Sequence, residues 1–297
     1  MQKPSIKDIL NIDLPLIEVV DIGAMPEARE RYASLVEHGL ANVTGFEPNP
    51  EQFEILCATK KGPYKYLPYF LGCGGAAAFH IVQYPDCSSL YPPDPNVVNL
   101  FYAMGTEEGS LLHVLRTIEV ETKRWDDVTE CPAASYLKID VQGAELDVLR
   151  NGIESLKSVL ILEAEVEFLP IYKGQPLFPD ICTFLANQGF VFHKLIDVAG
   201  FPIRPFLKDN NPTCAISQMH WADAIFIRDF TKLERYSNDQ LLIAATILHE
   251  SYCSYDLSFH LLREYDERMK TDISTDYFNS IRNHREIPYM YLNPKKF

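Results

Sequence analysis

Residues 136–152 read YLKIDVQGAELDVLRNG. A short apolar stretch ends on a carboxylate, Asp140, and a helical pattern follows until Gly152. Strands buried in a parallel sheet are almost continuously apolar, so a charge at the end of this one belongs at the edge of the sheet. Asp140 is therefore either an acid of a functional site or the N-cap of the following helix, because both positions favour aspartate.

Regular elements alternate along the chain on both sides of this stretch. The predicted strands are 16–23, 42–46, 66–72, 117–124, 136–141, 158–164, 190–195 and 222–228, with an extra extended segment at 76–82. The predicted helices are 27–37, 51–60, 144–151, 179–188, 237–250 and 255–269. This alternation predicts an α/β fold with a mostly parallel sheet that carries helices on both faces. The last two strands are candidates for an antiparallel pair.

Two regions depart from the alternation. Residues 83–116 contain several prolines, which exclude long regular elements, so we expect a long loop with a short helix near 96–103. Residues 271–297 are polar with scattered aromatics and show no clear period. We therefore divide the chain into an α/β domain at 1–232 and a helical C-terminal extension at 233–297.

Composition limits the classes of partner. The chain has 297 residues, with 27 Lys and Arg against 41 Asp and Glu, and a net charge of −14. Such a surface repels phosphate backbones and anionic lipids, so we expect neither a nucleic-acid nor a membrane partner. The sequence shows no secretory signal, and no segment approaches the roughly 18 apolar residues of a membrane helix. Seven scattered cysteines without a C-x-x-C pair indicate reduced thiols in a cytoplasmic protein and no zinc site.

The first predicted strand ends in Asp21-Ile-Gly-Ala24, at the edge where open α/β sheets bind ligands. A nicotinamide dinucleotide requires G-x-G-x-x-G there, but Pro26 removes an amide donor and Glu27 adds a negative charge. S-adenosylmethionine has no phosphate and carries a positive sulfonium, so an acidic site suits it. Glu47, after the second strand, is placed to accept both ribose hydroxyls, and Asp21 to hold the amino acid tail. The alternative is that both acids only cap helices.

With these pieces in place, the chain resembles the FkbM-type methyltransferase family. The matching motifs are Val19-Val-Asp-Ile-Gly-Ala24, Gly45-Phe-Glu-Pro-Asn49, Leu137-Lys-Ile-Asp-Val-Gln-Gly-Ala-Glu-Leu-Asp-Val-Leu149, Glu165-Val-Glu-Phe168 and Tyr172-Lys-Gly-Gln-Pro-Leu-Phe178. The block at 137–149 is the most specific, and the resemblance spans about residues 16–230. It implies a Rossmann-like class I fold with a seven-stranded sheet, S-adenosylmethionine as cofactor, and O-methylation of carbohydrate or polyketide-like hydroxyls.

The resemblance also implies which motif residues contact the cofactor, namely Asp21, Gly23, Ala24, Glu47, Pro48, Asp140 and Gln142. Two departures from the family pattern accompany it. Met25-Pro26 replaces the usual Asn and Gly, which affects the contacts of the cofactor tail. Gln142 stands where the family often has Glu, so residue 142 is not an acid.

Methyl transfer to a hydroxyl requires a base or a metal to help remove the proton. Asp140 is the first candidate. Glu163 and Glu165 lie at the end of the neighbouring strand, and because side chains alternate along a strand, these two point to the same side of the sheet. These carboxylates admit either an acid with a raised pKa that acts as base or a Mg²⁺ or Ca²⁺ site. We favour the metal-free version, because no Asp-Asn or Asp-Asp pair follows the strand at 158–164. For Glu145, an acid that complements the helix dipole is the first interpretation.

Candidate substrate contacts come from two places in the second half of the chain. Tyr172 and Gln175 lie in the loop after the strand at 158–164, and Trp221 offers a flat face for a sugar ring, with a buried core position as its alternative. Lys138, within a strand that should be buried, is expected to pair with a carboxylate rather than act as a catalytic lysine.

The sequence thus predicts an S-adenosylmethionine-dependent O-methyltransferase that acts on a hydroxyl of a sugar, a glycan or another polar small molecule. A methyltransferase-like scaffold without catalysis is the alternative, supported by the altered turn at Met25-Pro26. An NAD-dependent enzyme is a third possibility that the missing glycines disfavour. The identity of the acceptor and the oligomeric state do not follow from the sequence.

Overall fold

The computed structural model of the chain describes residues 4–26 and 30–282. These residues form two compact units. The first, which we call the sheet unit, contains residues 18–26 and 43–229. The second, the helical unit, contains residues 4–17, 30–42 and 230–282.

The strands define the fold. In the described part of the chain they are β1 (Ile17–Ile22), β2 (Ala41–Phe46), β3 (Tyr64–Leu67), β4 (Phe70–Leu71), β5 (Gly75–Val82), β6 (Val114–Lys123), β7 (Tyr136–Ile139), β8 (Ile161–Glu167), β9 (Phe190–Ala199) and β10 (Trp221–Arg228). Seven of them form one sheet in the order β3-β2-β1-β7-β8-β10-β9. The pairs β2–β3, β1–β7 and β7–β8 are parallel, whereas β10 is antiparallel to both β8 and β9. This is the Rossmann-like class I methyltransferase topology, as predicted.

The helices connect and flank these strands. Their bounds are α1 (Ile6–Leu10), α2 (Ala33–Glu37), α3 (Pro50–Thr59), α4 (Pro95–Val98), α5 (Glu145–Arg150), α6 (Ile153–Leu156), α7 (Phe178–Asn187), α8 (Asn238–Tyr252), α9 (Tyr255–Met269) and α10 (Ile273–Arg282). Local sequence explains where several begin. The Asn49 side chain accepts hydrogen bonds from the backbone at the start of α3, and Pro50 supplies a preset φ. Ser237 caps α8 in a capping box with Gln240, as its position predicted.

A second sheet is the main feature that the sequence analysis missed. The segment 66–72, predicted as one strand, is divided between β3, in the large sheet, and β4, in a three-stranded sheet of order β4-β6-β5. Pro68 lies between the two strands and has no N–H to donate to a sheet, so the chain changes direction there. The extended segment at 76–82 and the strand at 117–124 belong to this small sheet as β5 and β6, which pair antiparallel.

Three helix predictions need correction. A helix was expected at 27–37, but among the described residues of that range only Ala33–Glu37 are helical, as α2. Residues 27–29 of the prediction lie outside the described part. The short helix expected near 96–103 is the single turn α4. The polar end of the chain contains α10, whose buried residues Ile273, Tyr277 and Ile281 recur every four positions and form a narrow apolar stripe. Residues 283–297 lie outside the described part.

The central strands β7 and β8 contribute residues to the hydrophobic core, and the glutamates of β8 lie on one face of the sheet. All four residues of β7 are buried, as expected of a parallel strand covered on both faces. On β8, Leu162, Ala164 and Val166 enter the hydrophobic core, and the intervening positions are glutamates. Because side chains alternate along a strand, the three glutamates of β8 share one face. The sequence therefore lines one face of a central strand with acids.

The helical unit is held by its own buried polar contacts. The Glu250 carboxylate of α8 accepts hydrogen bonds from Ser5 Oγ at 2.8 Å and from Ser34 Oγ at 2.6 Å, which ties α8 to the starts of the first two helices. His249 is fully buried and lies 3.0 Å from the Tyr277 hydroxyl of α10. None of the helices in the described ranges combines the length and apolar character that crossing a bilayer would need.

The turn after β1 depends on a glycine. Gly23 has a φ of +86°, and a Cβ atom built on it would lie 1.8 Å from the backbone oxygen of Asp140. The φ value favours glycine, and the contact is with rigid backbone rather than with a side chain that can move. The ends of β1 and β7 are therefore in direct backbone contact.

We predict that Gly23→Ala lowers the free energy of unfolding by about 3 kcal/mol or more, because it adds a left-handed penalty of about 1–2 kcal/mol to a backbone clash. Gly62→Ala is the matched control, since Gly62 has a φ of +76° but nothing within 4 Å of its added Cβ. The control should lose only the conformational penalty of about 1–2 kcal/mol. Urea unfolding measures both variants, and equal losses would contradict the close approach.

Candidate active site

A strained turn follows β7 and sets up the site. The Asp140 N–H donates to Ile22 O at 2.9 Å, so pairing with β1 extends one residue beyond the strand. The chain then turns through Gln142, with a φ of 55°, and Gly143, with a φ of 96°. A left-handed glutamine costs of order 1 kcal/mol and persists only where its surroundings hold it. The turn directs the Gln142 side chain back over the end of the sheet.

Gln142 is held by several hydrogen bonds. Its Nε2 donates to Asp140 Oδ1 at 2.9 Å and to Glu165 Oε2 at 2.6 Å. Its Oε1 lies 3.1 Å from the Tyr172 hydroxyl, and its backbone oxygen accepts from Ser89 Oγ at 2.6 Å. The amide is thus a neutral donor between two carboxylates, a position in which glutamate would add a third negative charge. Gln142 therefore joins the two carboxylates without adding a charge of its own.

Glu145, rather than Asp140, satisfies the backbone at the start of α5. Glu145 Oε1 accepts from Val141 N at 2.8 Å and from Gly143 N at 3.1 Å. The N-cap residue of α5 is Ala144, whose side chain makes no capping hydrogen bond. The Asp140 carboxylate is directed to the Gln142 amide instead. Helix capping, the alternative explanation for Asp140, therefore does not account for this residue.

Three acids meet at this point and form what we call the acidic cluster, Asp140, Glu145 and Glu165. One carboxylate oxygen from each lies within 4.8 Å of the others. Burial raises the pKa of Glu145 to about 7, and the nearby charge of Asp140 adds to the shift. Burial, followed by the charge of Asp140, likewise holds the pKa of Glu165 well above its ordinary value. Protons or a cation must therefore accompany the cluster at neutral pH.

Glu167 is a fourth acid beside the cluster. It is only 2% exposed, and its Oε2 has no hydrogen-bond partner in the described part of the chain. Its pKa is raised well above the ordinary value by burial first, and then by the charges of Glu145 and Asp140. Glu167 therefore belongs electrostatically to the same group of acids.

A cavity of about 250 Å³ opens against these acids. Its lining combines acids and an amide with aromatic and aliphatic side chains: Asp86, Gln142, Glu165, Glu167, Tyr84, Tyr172, Phe201, Trp221, Cys87, Met104, Leu111, Leu112 and Ile171. The volume is small compared with the 300–1,000 Å³ of drug-sized sites, so it suits a single ring or a similarly sized group. Aromatic faces beside hydrogen-bond acceptors are typical of sites that bind polar rings.

A pair of acids outside the acidic cluster, Asp21 and Glu47, lies at the ends of β1 and β2. Lys138 Nζ lies 3.6 Å from Asp21 Oδ1 and both side chains are buried, so the predicted pairing of this lysine with a carboxylate is confirmed. Glu47 is 4% exposed, and its Oε1 accepts from Asn49 N at 2.6 Å. Burial, with smaller contributions from the charges of Asp21 and Asp86, raises the pKa of Glu47 to about 7.

The acidic cluster and the pair formed by Asp21 and Glu47 lie at one edge of the sheet unit. β1, β2, β7 and β8 are parallel, so their carboxyl ends meet at the same edge. Asp86 lies near both groups of acids. Its charge raises the pKa of Glu47, and it lines the cavity together with Glu165. Glu47 and Asp140 thus lie along the same edge of the sheet.

Sequence comparison agrees with this architecture. The model of the FkbM methyltransferase domain family matches residues 21–192, more than half of the chain. The chain therefore belongs to the FkbM methyltransferase family. The matched range includes the acidic cluster, the pair formed by Asp21 and Glu47, and most of the residues that line the cavity.

Individual relatives of this FkbM-family chain are more distant. The hexuronic acid methyltransferase AglP of Haloferax volcanii is 29% identical over 130 residues, which are 42% of this chain and 47% of AglP. The match thus spans about half the length of that relative. Among solved structures, methyltransferase FkbM of Methylobacillus flagellatus KT has a TM-score of 0.38 at 13% identity, covering 71% of this chain and 43% of its own. A putative methyltransferase from Thermoplasma acidophilum has a TM-score of 0.36 at 7% identity, covering 72% and 69%.

The structure brings most of the predicted acceptor residues of this FkbM-type domain together. Asp140 and Glu165 belong to the acidic cluster, and Tyr172 and Trp221 line the cavity. Gln175 is buried beside it, where its Oε1 accepts from Tyr172 N at 2.5 Å. Glu163 lies outside the cluster, since it is two residues before Glu165 on β8. Its Oε2 accepts from the Tyr136 hydroxyl at 3.2 Å.

The predicted cofactor residues differ in how far their polar groups are already used within the fold. The N–H groups of Gly23 and Ala24 donate to Phe46 O at 3.1 and 2.9 Å, so both amides are already used within the fold. Pro48 lies between Glu47 and Asn49, the N-cap residue of α3. Among the cofactor candidates, Glu47 therefore offers the buried acidic group that best suits a ribose.

Sequence reasoning missed three members of the site. Glu167 follows Glu163 and Glu165 at a spacing of two, so strand alternation already placed it on the same face. Glu145 was interpreted only as an acid favoured by the helix dipole, although it also holds the turn before α5. Asp86 comes from the proline-rich region, in which no local pattern predicted which side chain would reach the cavity.

We predict that Glu47→Gln stabilises the protein at pH 8. The raised pKa means that the native state binds the Glu47 proton more tightly than the unfolded state does. Stability contributed by the protonated group is therefore lost as the pH rises from about 4.5 to about 7. Glutamine avoids this loss, so its free energy of unfolding should exceed that of the wild type by roughly 2–3 kcal/mol at pH 8 and by little at pH 4.5.

Urea unfolding at both pH values provides the measurement. Glu51→Gln is the control, because Glu51 is an exposed acid in the first turn of α3 and lacks the burial of Glu47. A difference between Glu47→Gln and wild type that does not change with pH would contradict the raised pKa.

Proposed function

We propose that this protein is an S-adenosylmethionine-dependent O-methyltransferase whose acceptor is a hydroxyl of a sugar, a sugar acid or a similar polar small molecule. The observation that carries the proposal is the small acidic and aromatic cavity at the ligand-binding edge of an FkbM-type sheet, next to the buried Glu47.

The residues at the ends of β1 and β2 fit S-adenosylmethionine by their chemistry. Glu47 is a buried carboxylate suited to accept hydrogen bonds from two ribose hydroxyls, and the acids around it favour a positive sulfonium. Gly23 shapes the wall through its backbone contact with Asp140. Its amide donates to Phe46, so it contributes space rather than a hydrogen bond. When bound, S-adenosylmethionine supplies the methyl group.

The cavity fits a polar ring as methyl acceptor. Tyr172 and Trp221 offer flat faces for the apolar side of a sugar, and Glu165 and Glu167 accept hydrogen bonds from its hydroxyls. The similarity to a hexuronic acid methyltransferase over 130 residues supports a sugar acid as a specific candidate.

The acids beside the cavity give the chain a means of taking a proton from the acceptor. Glu165 lines the cavity, and Asp140 is joined to it through the Gln142 amide. We assign the removal of the acceptor proton to this pair, with Gln142 fixing the distance between the two carboxylates. Tyr172 in turn fixes the orientation of the Gln142 amide, because its hydroxyl lies beside Gln142 Oε1. Positioning of this kind supplies much of the rate in a displacement reaction.

Binding of S-adenosylhomocysteine tests the cofactor half of the proposal. We expect wild-type affinity to be about tenfold weaker at pH 6 than at pH 8, because a carboxylate with a pKa of about 7 must be ionised to accept from the ribose. Glu47→Ala should lose most of the affinity and its pH dependence. Titration calorimetry measures both, and Glu51→Ala serves as the control. If wild type shows no binding, the non-catalytic scaffold is the better description.

Transfer of radioactive methyl from S-adenosylmethionine to glucuronic acid, galacturonic acid and glucose tests the acceptor half. We expect a labelled product that survives mild alkali, because a methyl ether is stable there and a methyl ester of the acid is hydrolysed. Asp140→Asn should keep S-adenosylhomocysteine affinity and lose at least about 100-fold in turnover. A fully active Asp140→Asn variant would contradict its role, and an alkali-labile label would contradict O-methylation of a hydroxyl.

A further inference from the structure

The acidic cluster has the ligand chemistry of a hard cation site. Its three carboxylate oxygens lie within 4.8 Å of one another. Oxygens on opposite sides of an ion, each at about 2.0–2.6 Å from it, lie roughly 4–5 Å apart, so the spacing admits one ion. The cluster contains neither histidine nor cysteine, which favours a hard cation over zinc.

The hydrogen bonds around the cluster leave oxygens for a ligand. Glu145 receives both of its backbone hydrogen bonds on Oε1. Gln142 donates to only one oxygen of Asp140, Oδ1, and to only one oxygen of Glu165, Oε2. In the described part of the chain, these contacts orient the three carboxylates without using their full capacity to accept. A carboxylate fixed through one oxygen and open at the other is arranged as a metal ligand.

Glu167 provides an independent sign of a missing ligand. Its side chain is almost fully buried, and its Oε2 has no hydrogen-bond partner among the described residues. It lines the cavity together with Glu165, on the same face of β8. A buried carboxylate oxygen without a partner is costly, so native proteins satisfy such groups with water, an ion or a ligand.

We propose that the acidic cluster binds one hard divalent cation of the Mg²⁺, Mn²⁺ or Ca²⁺ class. Asp140, Glu145 and Glu165 are its protein ligands, and Glu167 faces it from the cavity. This inference rests on the proposed function and deepens it, because the cation is the group that receives an anionic acceptor. The metal-free version favoured from the sequence stays a prediction, and this cation is the metal-assisted alternative to it.

The charge of the cavity is the reason why an anionic acceptor needs such an ion. A hexuronate that enters the cavity meets Asp86, Glu165 and Glu167, all acidic, on its walls. Where these acids are ionised they repel the acceptor carboxylate, and where they are protonated they leave it without a counter-charge. A divalent cation reverses the local sign, and its open positions accept a carboxylate oxygen and a neighbouring hydroxyl, which are ligands that these ions prefer.

Titration of the chelator-treated, full-length protein with Mn²⁺ alone tests the inference, with free Mn²⁺ followed by electron paramagnetic resonance. We expect about one equivalent to bind with a Kd in the range of roughly 0.01–1 mM, and Mg²⁺ to compete. Glu165→Gln and Asp140→Asn should each weaken binding at least about tenfold. Asp147→Asn is the matched control, because Asp147 lies in α5 close to Glu145 but accepts from the Tyr91 hydroxyl instead.

Thermal unfolding without metal verifies that each variant is folded, and removing one of the crowded carboxylates should leave the midpoint unchanged or raised. Absence of Mn²⁺ binding, or equal binding by wild type and Glu165→Gln, would overturn the inference. S-adenosylhomocysteine titration of the same samples separates the two proposals. Cofactor binding without Mn²⁺ binding removes only the cation, and Mn²⁺ binding without cofactor binding removes the proposed methyl donor.

Discussion

The crowding of buried and half-buried carboxylates at the end of β7 is the constraint to which the rest of the site responds. Asp140, Glu145 and Glu165 come from three different elements and approach within 4.8 Å. Such a group is unfavourable unless donors separate the charges or a counter-charge accompanies them. The backbone N–H groups of the turn and the Gln142 amide provide the donors. The left-handed conformation of Gln142 is thus the local strain that makes this concentration of acids possible.

The acids at the other strand ends follow a different principle. Asp21 is neutralised by a buried lysine of the neighbouring strand. Glu47 instead accepts from the backbone N–H of Asn49 and has two further acids nearby. The two carboxylates therefore differ in how readily they lose their charge, although both end parallel strands of one sheet. The lysine ties Asp21 into the structure, and Glu47 is the acid left for a ligand.

The sequence was informative where a rule of local chemistry acts alone. The mostly parallel sheet followed from the alternation of strands and helices, and the pairing of Lys138 followed from its place in an apolar strand. The second sheet was missed because the change of direction at Pro68 becomes visible only when the partner strand, far along the chain, is known. Asp86 reaches the cavity from a region without regular structure, and positions of that kind depend on contacts between distant residues. The role of Glu145 was underestimated because one acid serves both the turn and the cluster.

The contact between Gly23 and the backbone of Asp140 has a consequence for redesign. Since not even a methyl group fits between them, no side chain can be introduced at position 23 to reshape this part of the edge. Space for a bulkier synthetic donor or a larger acceptor must therefore come from side chains that line the cavity outside the strands, such as Met104 and Leu111. A directed-evolution library for this scaffold is best placed at such positions, with Gly23 left unchanged.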